Sequence, residues 1–297
     1  MKKRKNDAMK VTGFSFIKNA IRYNYPIVEA IRSILPICDE VVVAVGKSED
    51  QTRELVSSID PKVRIIDTVW DDSLREGGVV LAEETDKAFR NISEDTDWCV
   101  YIQGDEVMHE QGYNSVMTAM KKWKDHKEVD GFLFNYLHFF GSYDYIGIEG
   151  HWYRHEIRVV RNDKSIYSYR DAQGFRKSNN QKLNVKPVDA YIYHYGWVQD
   201  PKMMMAKFIF KDRINFAKEG DDTNIVVPDG YHQLLVKALK KFEGSHPAVM
   251  KKRLGEIEWE FNYDVSRNKL KPKDRLKNFI ERLTGKRPFD YRNYRII

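Results

Sequence analysis

The sequence predicts an α/β fold with a mostly parallel central sheet flanked by helices. Apolar strand-like runs alternate with helix-like segments over residues 11–102, which is typical of a doubly wound sheet with right-handed crossovers. The last of these runs, Trp98–Ile102, is apolar throughout, as a strand buried on both faces is. Gly104, Asp105 and Glu106 come shortly after it. Open α/β sheets bind their ligands at this carboxyl edge, so we expect the functional site there.

Four strands and three helices make up the predicted alternation. The first helix begins at Pro26, which suits a first turn, and ends near Pro36. The second begins with the capping box Ser48-Glu49-Asp50-Gln51, in which Ser48 can cap the helix and Gln51 can reach back, and it runs through Ser58. The third follows Gly77-Gly78 and carries its apolar residues on one face. The strands are Val11–Ile17, Glu40–Val45, Val63–Ile66 and Trp98–Ile102.

The pattern beyond residue 102 predicts fewer strands and then a change to helices. A helix contains Val116, Met120 and Trp123, and the aromatic, glycine-rich residues 139–152 are expected to form a long loop over the site. The later strands are Gly131–Leu137, Ile157–Arg161 and Ala190–Tyr195, and the later helices are Pro201–Lys218, Gly230–Phe242 and Pro247–Phe261. We therefore divide the chain into an α/β domain of residues 1–200 and a helical C-terminal appendage of residues 201–297.

Composition favours a globular cytoplasmic protein. The chain has 297 residues, of which 42% are hydrophobic, enough to bury a full core. No apolar run approaches the roughly 20 residues that span a bilayer, and the charged residues 1–10 are not followed by the apolar segment of a signal peptide. Cys38 and Cys99 lie in apolar surroundings without metal-type spacing, so we expect two buried thiols.

The net charge of +6 is concentrated at the C-terminal end. Residues 265–297 contain eleven Lys or Arg and three acidic residues, a balance of +8, which leaves residues 1–264 at −2. Such a basic tail can contact an anionic membrane surface, and a solvated helix face with ordinary lysines is the alternative. We expect no nucleic-acid partner.

The usual phosphate-binding fingerprints are absent from the sequence. There is no Gly-x-Gly-x-x-Gly after the first strand, no P-loop motif and no Gly-x-Ser-x-Gly elbow. A divalent cation held by carboxylates is the other way to bind a diphosphate, and Asp105, with Glu106 beside it, is placed for that role. His194, at the end of a late strand, is the candidate second ligand, and its imidazole favours Mn²⁺ over Mg²⁺. The alternative is that Asp105 caps a turn and His194 is a packed histidine.

With these residues, the first 200 or so positions resemble the family 2 glycosyltransferases of the GT-A fold, close to bacterial enzymes that add sugars to lipopolysaccharide core or capsule. The resemblance lies in the strand ending at Asn19, in residues 46–52, where such enzymes carry a Gly-Ser-Thr-Asp turn, and in residues 102–106, where they carry Asp-x-Asp. Gln103 replaces the first acid of that motif, and Ala44 lies in a strand end where many relatives have a nucleotide-binding Asp. Asp105 matches the metal-binding acid.

The resemblance implies an inverting, metal-dependent glycosyltransferase. It would move a sugar from a UDP- or GDP-sugar donor to the hydroxyl of a glycan or glycolipid acceptor in cell-surface polysaccharide or glycolipid synthesis, in the cytoplasm or at the inner face of the membrane. The general base is expected at Asp171, with Glu156 in reserve, and Mn²⁺ or Mg²⁺ at Asp105 and His194. The residues expected to contact the donor or its cation are Asn19, Asp50, Arg75, Gln103 and Asp105.

Two other functions remain open from the sequence. A degenerate GT-A fold could act as a non-catalytic sugar-nucleotide-binding or scaffold module, which Gln103 and Ala44 motivate. A sugar nucleotidyltransferase shares this type of sheet, but it would be expected to carry a glycine-rich, basic loop directly after the first strand. Residues 16–20, Phe-Ile-Lys-Asn-Ala, lack such a loop.

Overall fold

A computed structural model describes residues 9–74, 76–205, 227, 229, 232–285, 287–288 and 290–297. Besides a helical segment at residues 201–205, the α-helices in this part of the chain are α1 Ile27–Ile34, α2 Thr52–Ser57, α3 Val79–Arg90, α4 Tyr113–Trp123, α5 His232–Leu235, α6 Lys251–Leu254 and α7 Pro272–Thr284. The strands are β1 Val11–Ile17, β2 Glu40–Gly46, β3 Val63–Thr68, β4 Trp98–Tyr101, β5 Glu106–Met108, β6 Gly131–Phe140, β7 Ser142–Gly147, β8 His155–Arg161, β9 Ile166–Tyr169, β10 Gly174–Lys177, β11 Gln181–Trp197, β12 Leu239–Lys241 and β13 Tyr294–Ile296.

One central sheet organises the molecule, in the order β3-β2-β1-β4-β8-β6-β11-β10-β9. The first four strands are parallel, which confirms the predicted alternation. Beyond them the sheet is mixed, because β8 is antiparallel to both β4 and β6, whereas β6 and β11 are parallel to each other. It follows that β6 and β11 run in the same direction as β1, so the carboxyl ends of β1, β2, β4, β6 and β11 meet at one edge.

Helices cover both faces of the parallel part of this sheet, which confirms the α/β fold class. Helix α1 buries Ile27, Ile31 and Ile34 on one face, together with residues of α4. Helix α3 buries Ala88 and Phe89 on the other face. Each fully buried isoleucine stabilises the fold by about 1.5–3 kcal/mol, so these two layers hold the carboxyl edge in place.

Several predicted elements differ from the structure. Residues 139–152 are not a long loop, because β6 and β7 form a hairpin that turns at Gly141, whose φ of 74° suits glycine. The predicted helix Gly230–Phe242 is wrong: α5 is short, and β12 follows it and pairs with β7. The predicted helix Pro247–Phe261 is reduced to a 3₁₀ turn at Ala248–Met250 and α6. Pro201–Lys218 is helical at residues 201–205, and its remainder lies outside the described residues.

The C-terminal residues contribute to the central sheet as well as to helices. Strand β13 lies parallel to β11, with Tyr294 opposite Leu183, and α7 precedes it in the predicted basic tail. Cys38 and Cys99 are both buried free thiols, as predicted. Among the described residues, every helix is too short or too polar to cross a bilayer.

Candidate functional site

Asp105 and His194 lie in direct contact at the carboxyl edge of the sheet. Strand β5 pairs with β11 so that His194 is opposite Glu106, which places the imidazole beside the preceding residue, Asp105. The Nε2 atom of His194 is 3.4 Å from Oδ2 of Asp105, and the two side chains are only 12% and 19% exposed. The structure therefore brings together the two residues that the sequence analysis pairs as metal ligands. Their binding of a cation stays a prediction.

A second histidine, His138, orients the imidazole of His194. Nε2 of His138 lies 3.1 Å from the carbonyl oxygen of Tyr153, and since a carbonyl only accepts, this nitrogen donates. Burial, with the nearby His194 and Arg154, lowers the pKa of His138 well below its ordinary value, so its Nδ1 carries a lone pair. That Nδ1 is 3.3 Å from Nδ1 of His194, which must then be the donor. We infer that the proton of a neutral His194 is on Nδ1 and that its Nε2 lone pair faces Asp105.

This arrangement fits a divalent cation. Two lone-pair atoms facing each other at 3.4 Å need either a proton on Nε2 or a cation between them. Ligand atoms that share one ion at about 2.0–2.2 Å and lie next to each other around it are roughly 3 to 3.5 Å apart. In the described part of the chain no cluster of three or more His, Cys, Asp or Glu could hold a metal. With only two protein ligands, the ion would need oxygens from a bound diphosphate or water, as Mg²⁺ sites commonly do.

Gly196 makes room for this pair. A Cβ at that position would lie 2.3 Å from Oδ2 of Asp105 and 2.8 Å from Nε2 of His194. Any larger side chain would therefore displace the carboxylate from the imidazole. The sequence analysis did not single out Gly196, although it directly precedes Trp197 in the run that contains His194.

Glu106 is not a free acid beside Asp105. Its side chain is fully buried and receives two charge-assisted hydrogen bonds from Arg158, at 2.7 Å from Nε and 2.5 Å from Nη2. Tyr136 also donates its hydroxyl to this carboxylate. The guanidinium of Arg158 lies 5.3 Å from the ring centres of both Tyr101 and Tyr136. Glu106 thus anchors the turn that presents Asp105, which leaves Asp105 as the candidate carboxylate ligand of the two adjacent acids.

Gln103 connects this turn to a neighbouring hairpin. Its Nε2 donates to the carbonyl of Ala172 at 3.0 Å and to the hydroxyl of Tyr101 at 3.2 Å. A carboxylate at position 103 has no hydrogen to donate to that carbonyl. The departure from Asp-x-Asp therefore has a structural consequence: residue 103 holds the loop that carries Asp171.

We expect Gln103→Glu to destabilise the protein by about 1–3 kcal/mol near pH 7.5, because the new carboxylate would face the Ala172 carbonyl without a proton between them. Urea unfolding measures the difference. The loss in the free energy of unfolding should be smaller near pH 4, where the introduced carboxyl regains a proton and can donate it to the Ala172 carbonyl. Gln111→Glu, at an exposed position, is the matched control. A deficit of the same size at both pH values would contradict this role of Gln103.

Asp171 is exposed at the tip of the β9–β10 hairpin. The residues on either side of it, Arg170 and Ala172, have φ of 58° and 62°, a conformation that non-glycine residues adopt at some energetic cost. Its Cβ is packed so closely on Gly78, at the amino end of α3, that a Cβ on that glycine would be 2.8 Å away. The positive end of the α3 dipole favours a carboxylate there.

Glu156, the reserve base, lies beneath the same hairpin and is only 3% exposed. Its Oε1 accepts from Gln173 at 3.1 Å, while Oε2 is buried and has no hydrogen-bond partner among the described residues. Burial raises its pKa to about 8, and the nearby Arg158 only partly offsets this effect. A protonated, buried carboxyl is poorly placed to accept a proton, so Glu156 suits the predicted role of general base less well than Asp171 does, and the identity of the base stays a prediction.

The raised pKa of Glu156 predicts a pH-dependent stability. The unfolded side chain ionises near pH 4.5, whereas the folded one keeps its proton until about pH 8, so the free energy of unfolding falls as pH rises through this interval. We expect Glu156→Gln to match the wild type near pH 4.5 and to exceed it by a few kcal/mol at pH 8. Urea unfolding between pH 4.5 and pH 8 measures this difference, and Glu94→Gln, at an exposed position, is the control. A difference that does not vary with pH would contradict the shift.

Asn19 and Asp50 hold together the loops that follow β1 and β2. Oδ1 of Asn19 accepts from the amide of Glu49 at 2.9 Å. Asp50 accepts from the amides of Arg22 and Thr52 at 2.8 and 3.0 Å. Burial alone would raise the pKa of Asp50, but the hydrogen bond from the Thr52 hydroxyl, together with those from the amides, outweighs it and the pKa is lowered.

Asp50, rather than Ser48, therefore bonds the first turn of α2, and Gln51 makes no capping hydrogen bond with its side chain. Ser48 instead donates to the carbonyl of Gly46 and accepts from the amide of Asn19. Arg75 lies outside the described residues. Asn19 and Asp50 shape this edge of the sheet, and any contact that they make with a donor stays a prediction.

No model of a known protein family matches the chain. No curated protein sequence shows significant similarity to it either. Among solved structures, the fold is similar to S. aureus TarS, with 14% identity over 71% of this chain and 41% of that chain, at a TM-score of 0.40. The chain thus matches about two fifths of the length of that TarS chain.

Two further solved structures are similar at the same low level. A glucosyl-3-phosphoglycerate synthase from Mycobacterium tuberculosis is 15% identical over 44% of this chain and 43% of that one, with a TM-score of 0.29. A 4-diphosphocytidyl-2C-methyl-D-erythritol synthase from Anaerococcus prevotii is 10% identical over 68% of this chain and 96% of that one, with a TM-score of 0.38.

Proposed function

We propose that this protein is an inverting glycosyltransferase of the GT-A type, which moves a sugar from a nucleoside-diphosphate donor to an acceptor hydroxyl. The observation that carries the proposal is the pair formed by Asp105 and His194 at the carboxyl edge, with a carboxylate oxygen 3.4 Å from Nε2 of an imidazole whose Nδ1 contacts His138. The resemblance of residues 46–52 and 102–106 to family 2 motifs supports the same assignment.

In the proposed reaction Asp105 and His194 would hold Mn²⁺ or Mg²⁺, which when bound would neutralise charge on the leaving diphosphate. The turn locked by Glu106 and Arg158 fixes the Asp105 carboxylate, so little reorganisation is needed when the donor binds. Gly196 keeps the space in front of the pair free of a side chain.

Asp171 is the proposed general base. It is exposed, its backbone conformation is constrained on both sides, and Gln103 ties its loop to the turn that carries Asp105. A base must come within about 3 Å of the hydroxyl that it deprotonates, so the acceptor would lie between this hairpin and the donor sugar. The proposed acceptor is a glycan or glycolipid of the cell surface, and the proposed location is the cytoplasm or the inner face of the membrane.

Calorimetric titration with UDP and with GDP, each with and without Mn²⁺, tests the proposal. UDP and Mn²⁺ are suitable first probes because the M. tuberculosis synthase was solved with both. We expect one nucleotide to bind, and to bind more tightly when Mn²⁺ is present. Binding of neither nucleotide under any of these conditions would contradict the proposal.

Turnover separates a transferase from a non-catalytic binding module. With a UDP- or GDP-sugar, the wild type should release the nucleoside diphosphate, first by slow transfer to water and faster once an acceptor is found. Asp171→Asn should keep donor binding but lose about 10²–10⁴-fold in the rate of transfer to the acceptor. Tight donor binding with no release of nucleoside diphosphate would favour the scaffold module instead.

A further inference from the structure

Helix α7 is attached to the protein through its polar side. Asp274 is 7% exposed and lies against Gly150. Asn278 donates to the carbonyl of Ile148 at 3.2 Å, and Glu281 pairs with Arg287 at 2.7 Å. The acidic and amide groups of α7 thus point toward the loop that follows β7 and the segment that follows α7.

The opposite side of α7 is apolar and faces outward. Leu276, Phe279 and Leu283 are 60%, 51% and 66% exposed. Their spacing of three and four residues places them in one stripe on a helix, which we call the α7 apolar face. A surface helix ordinarily buries its apolar stripe and exposes its polar one, so α7 has the reverse orientation. Three large apolar side chains in one exposed stripe indicate a surface that contacts something outside the protein.

Cations border the α7 apolar face, and acids do not. Lys273, Arg275 and Arg282 are exposed on its two sides, and the guanidinium of Arg282 lies 5.8 Å from the ring centre of Phe279. The two acidic residues of this helix, Asp274 and Glu281, belong to the inward side. Lys269 and Lys271, just before the helix, are also exposed. The outward surface of α7 is therefore both apolar and cationic.

We propose that the α7 apolar face binds an anionic lipid bilayer, with the helix lying in the interface. Its leucines and phenylalanine would enter the boundary between headgroups and acyl chains, and its lysines and arginines would contact lipid phosphates. A second copy of the chain fits this surface less well, because a two-fold contact would set the cations of one helix against those of the other. This inference does not depend on the transfer reaction, and its test uses no nucleotide.

Vesicle co-sedimentation of the full chain tests the inference. The vesicles contain phosphatidylcholine alone or with phosphatidylglycerol, in about 0.1 M and about 1 M salt, which shortens the screening length from roughly 10 Å to roughly 3 Å. The wild type should bind the anionic vesicles and should bind them less at high salt. Leu276→Ser/Phe279→Ser/Leu283→Ser should reduce the partition coefficient about tenfold or more. Lys273→Gln/Arg275→Gln/Arg282→Gln should lose the difference between the two lipid mixtures.

Two controls keep the test decisive. Val69→Ser/Tyr191→Ser removes exposed apolar groups far from α7 along the chain and should bind like the wild type. Phe279→Ser alone, with an unchanged melting midpoint, shows whether any loss reflects unfolding. Equal vesicle binding by the wild type and the α7 apolar variant would overturn the inference. So would a wild-type dimer that this variant converts to a monomer, with no vesicle binding by either.

Discussion

We expect Asp105→Asn to weaken UDP binding in the presence of Mn²⁺ by about a hundredfold or more, while metal-free binding stays as weak as in the wild type. Replacing a partner that only orients a metal ligand typically costs 10- to 100-fold in affinity, so loss of the ligand itself should cost at least as much. The asparagine keeps the shape of the side chain but removes the charge and the hard anionic oxygen that Mg²⁺ and Mn²⁺ prefer. Calorimetric titration of UDP with and without Mn²⁺ measures the Mn²⁺-dependent affinity and the metal-free affinity separately.

Two further variants show whether Mn²⁺-dependent binding requires a carboxylate at this particular position rather than negative charge in general. Asp95→Asn changes an exposed carboxylate near the amino end of β4, where it pairs with Lys10 at the surface, and should leave binding unchanged. Gly196→Ala keeps both proposed ligands but puts a methyl group 2.3 Å from Oδ2 of Asp105, which must then move, so this variant should also weaken Mn²⁺-dependent binding. If Asp105→Asn and Asp95→Asn gave the same affinity as the wild type with Mn²⁺, the proposed metal site would be wrong.

The second large effect concerns stability. We expect Arg158→Met to lower the free energy of unfolding by about 3–5 kcal/mol near neutral pH, because it leaves the fully buried carboxylate of Glu106 without its cation. The hydroxyl of Tyr136 and the backbone amide of Gln103 still donate to the Glu106 carboxylate, but neither carries a compensating charge. Urea unfolding followed by circular dichroism measures the loss.

The double variant Glu106→Gln/Arg158→Met should recover much of this loss. Removing both charges eliminates the uncompensated one, and the coupling between the two positions appears as non-additivity in the double-mutant cycle. The surface variant Arg53→Met, which breaks the exposed pair with Asp67, should leave the free energy of unfolding nearly unchanged, because solvent screens that pair. A cost for Arg158→Met as small as that of Arg53→Met would mean that the buried pair does not support the turn carrying Asp105.

The sequence predicted the first half of the fold well because its local and long-range signals agree. The strands beginning at Val11, Glu40 and Val63 are short, rich in apolar residues and separated by helices, so each element could be assigned without knowing its partner. The later hairpin of β6 and β7 could not be assigned in this way. Its turn at Gly141 falls in an aromatic run that has no other turn signal. Strand β12 is equally hidden, because it is defined only by its pairing with β7.

The residues of the candidate site differ in the same way: some could be predicted from local sequence patterns and others could not. Asp105 and His194 could be proposed from the sequence because each lies at the end of a strand. The role of His138 depends on the register that sets it opposite His194 across β6 and β11, and no local pattern indicates that register. Arg158 was also missed, because a basic residue in a strand ordinarily suggests an exposed position. Its burial is explained only by the acid and the aromatic rings that the fold brings around it.

The site also constrains how the protein folds. Asp105 and His194 are far apart along the chain, and they meet only when β5 has paired with β11. The entropy of closing the intervening chain must be overcome before that contact forms, so the site belongs to a late stage of folding. A collapsed chain in which only the first parallel strands had assembled would lack one of the two proposed ligands. A compound bound by both residues would therefore recognise the completed native state and shift the folding equilibrium toward it by mass action.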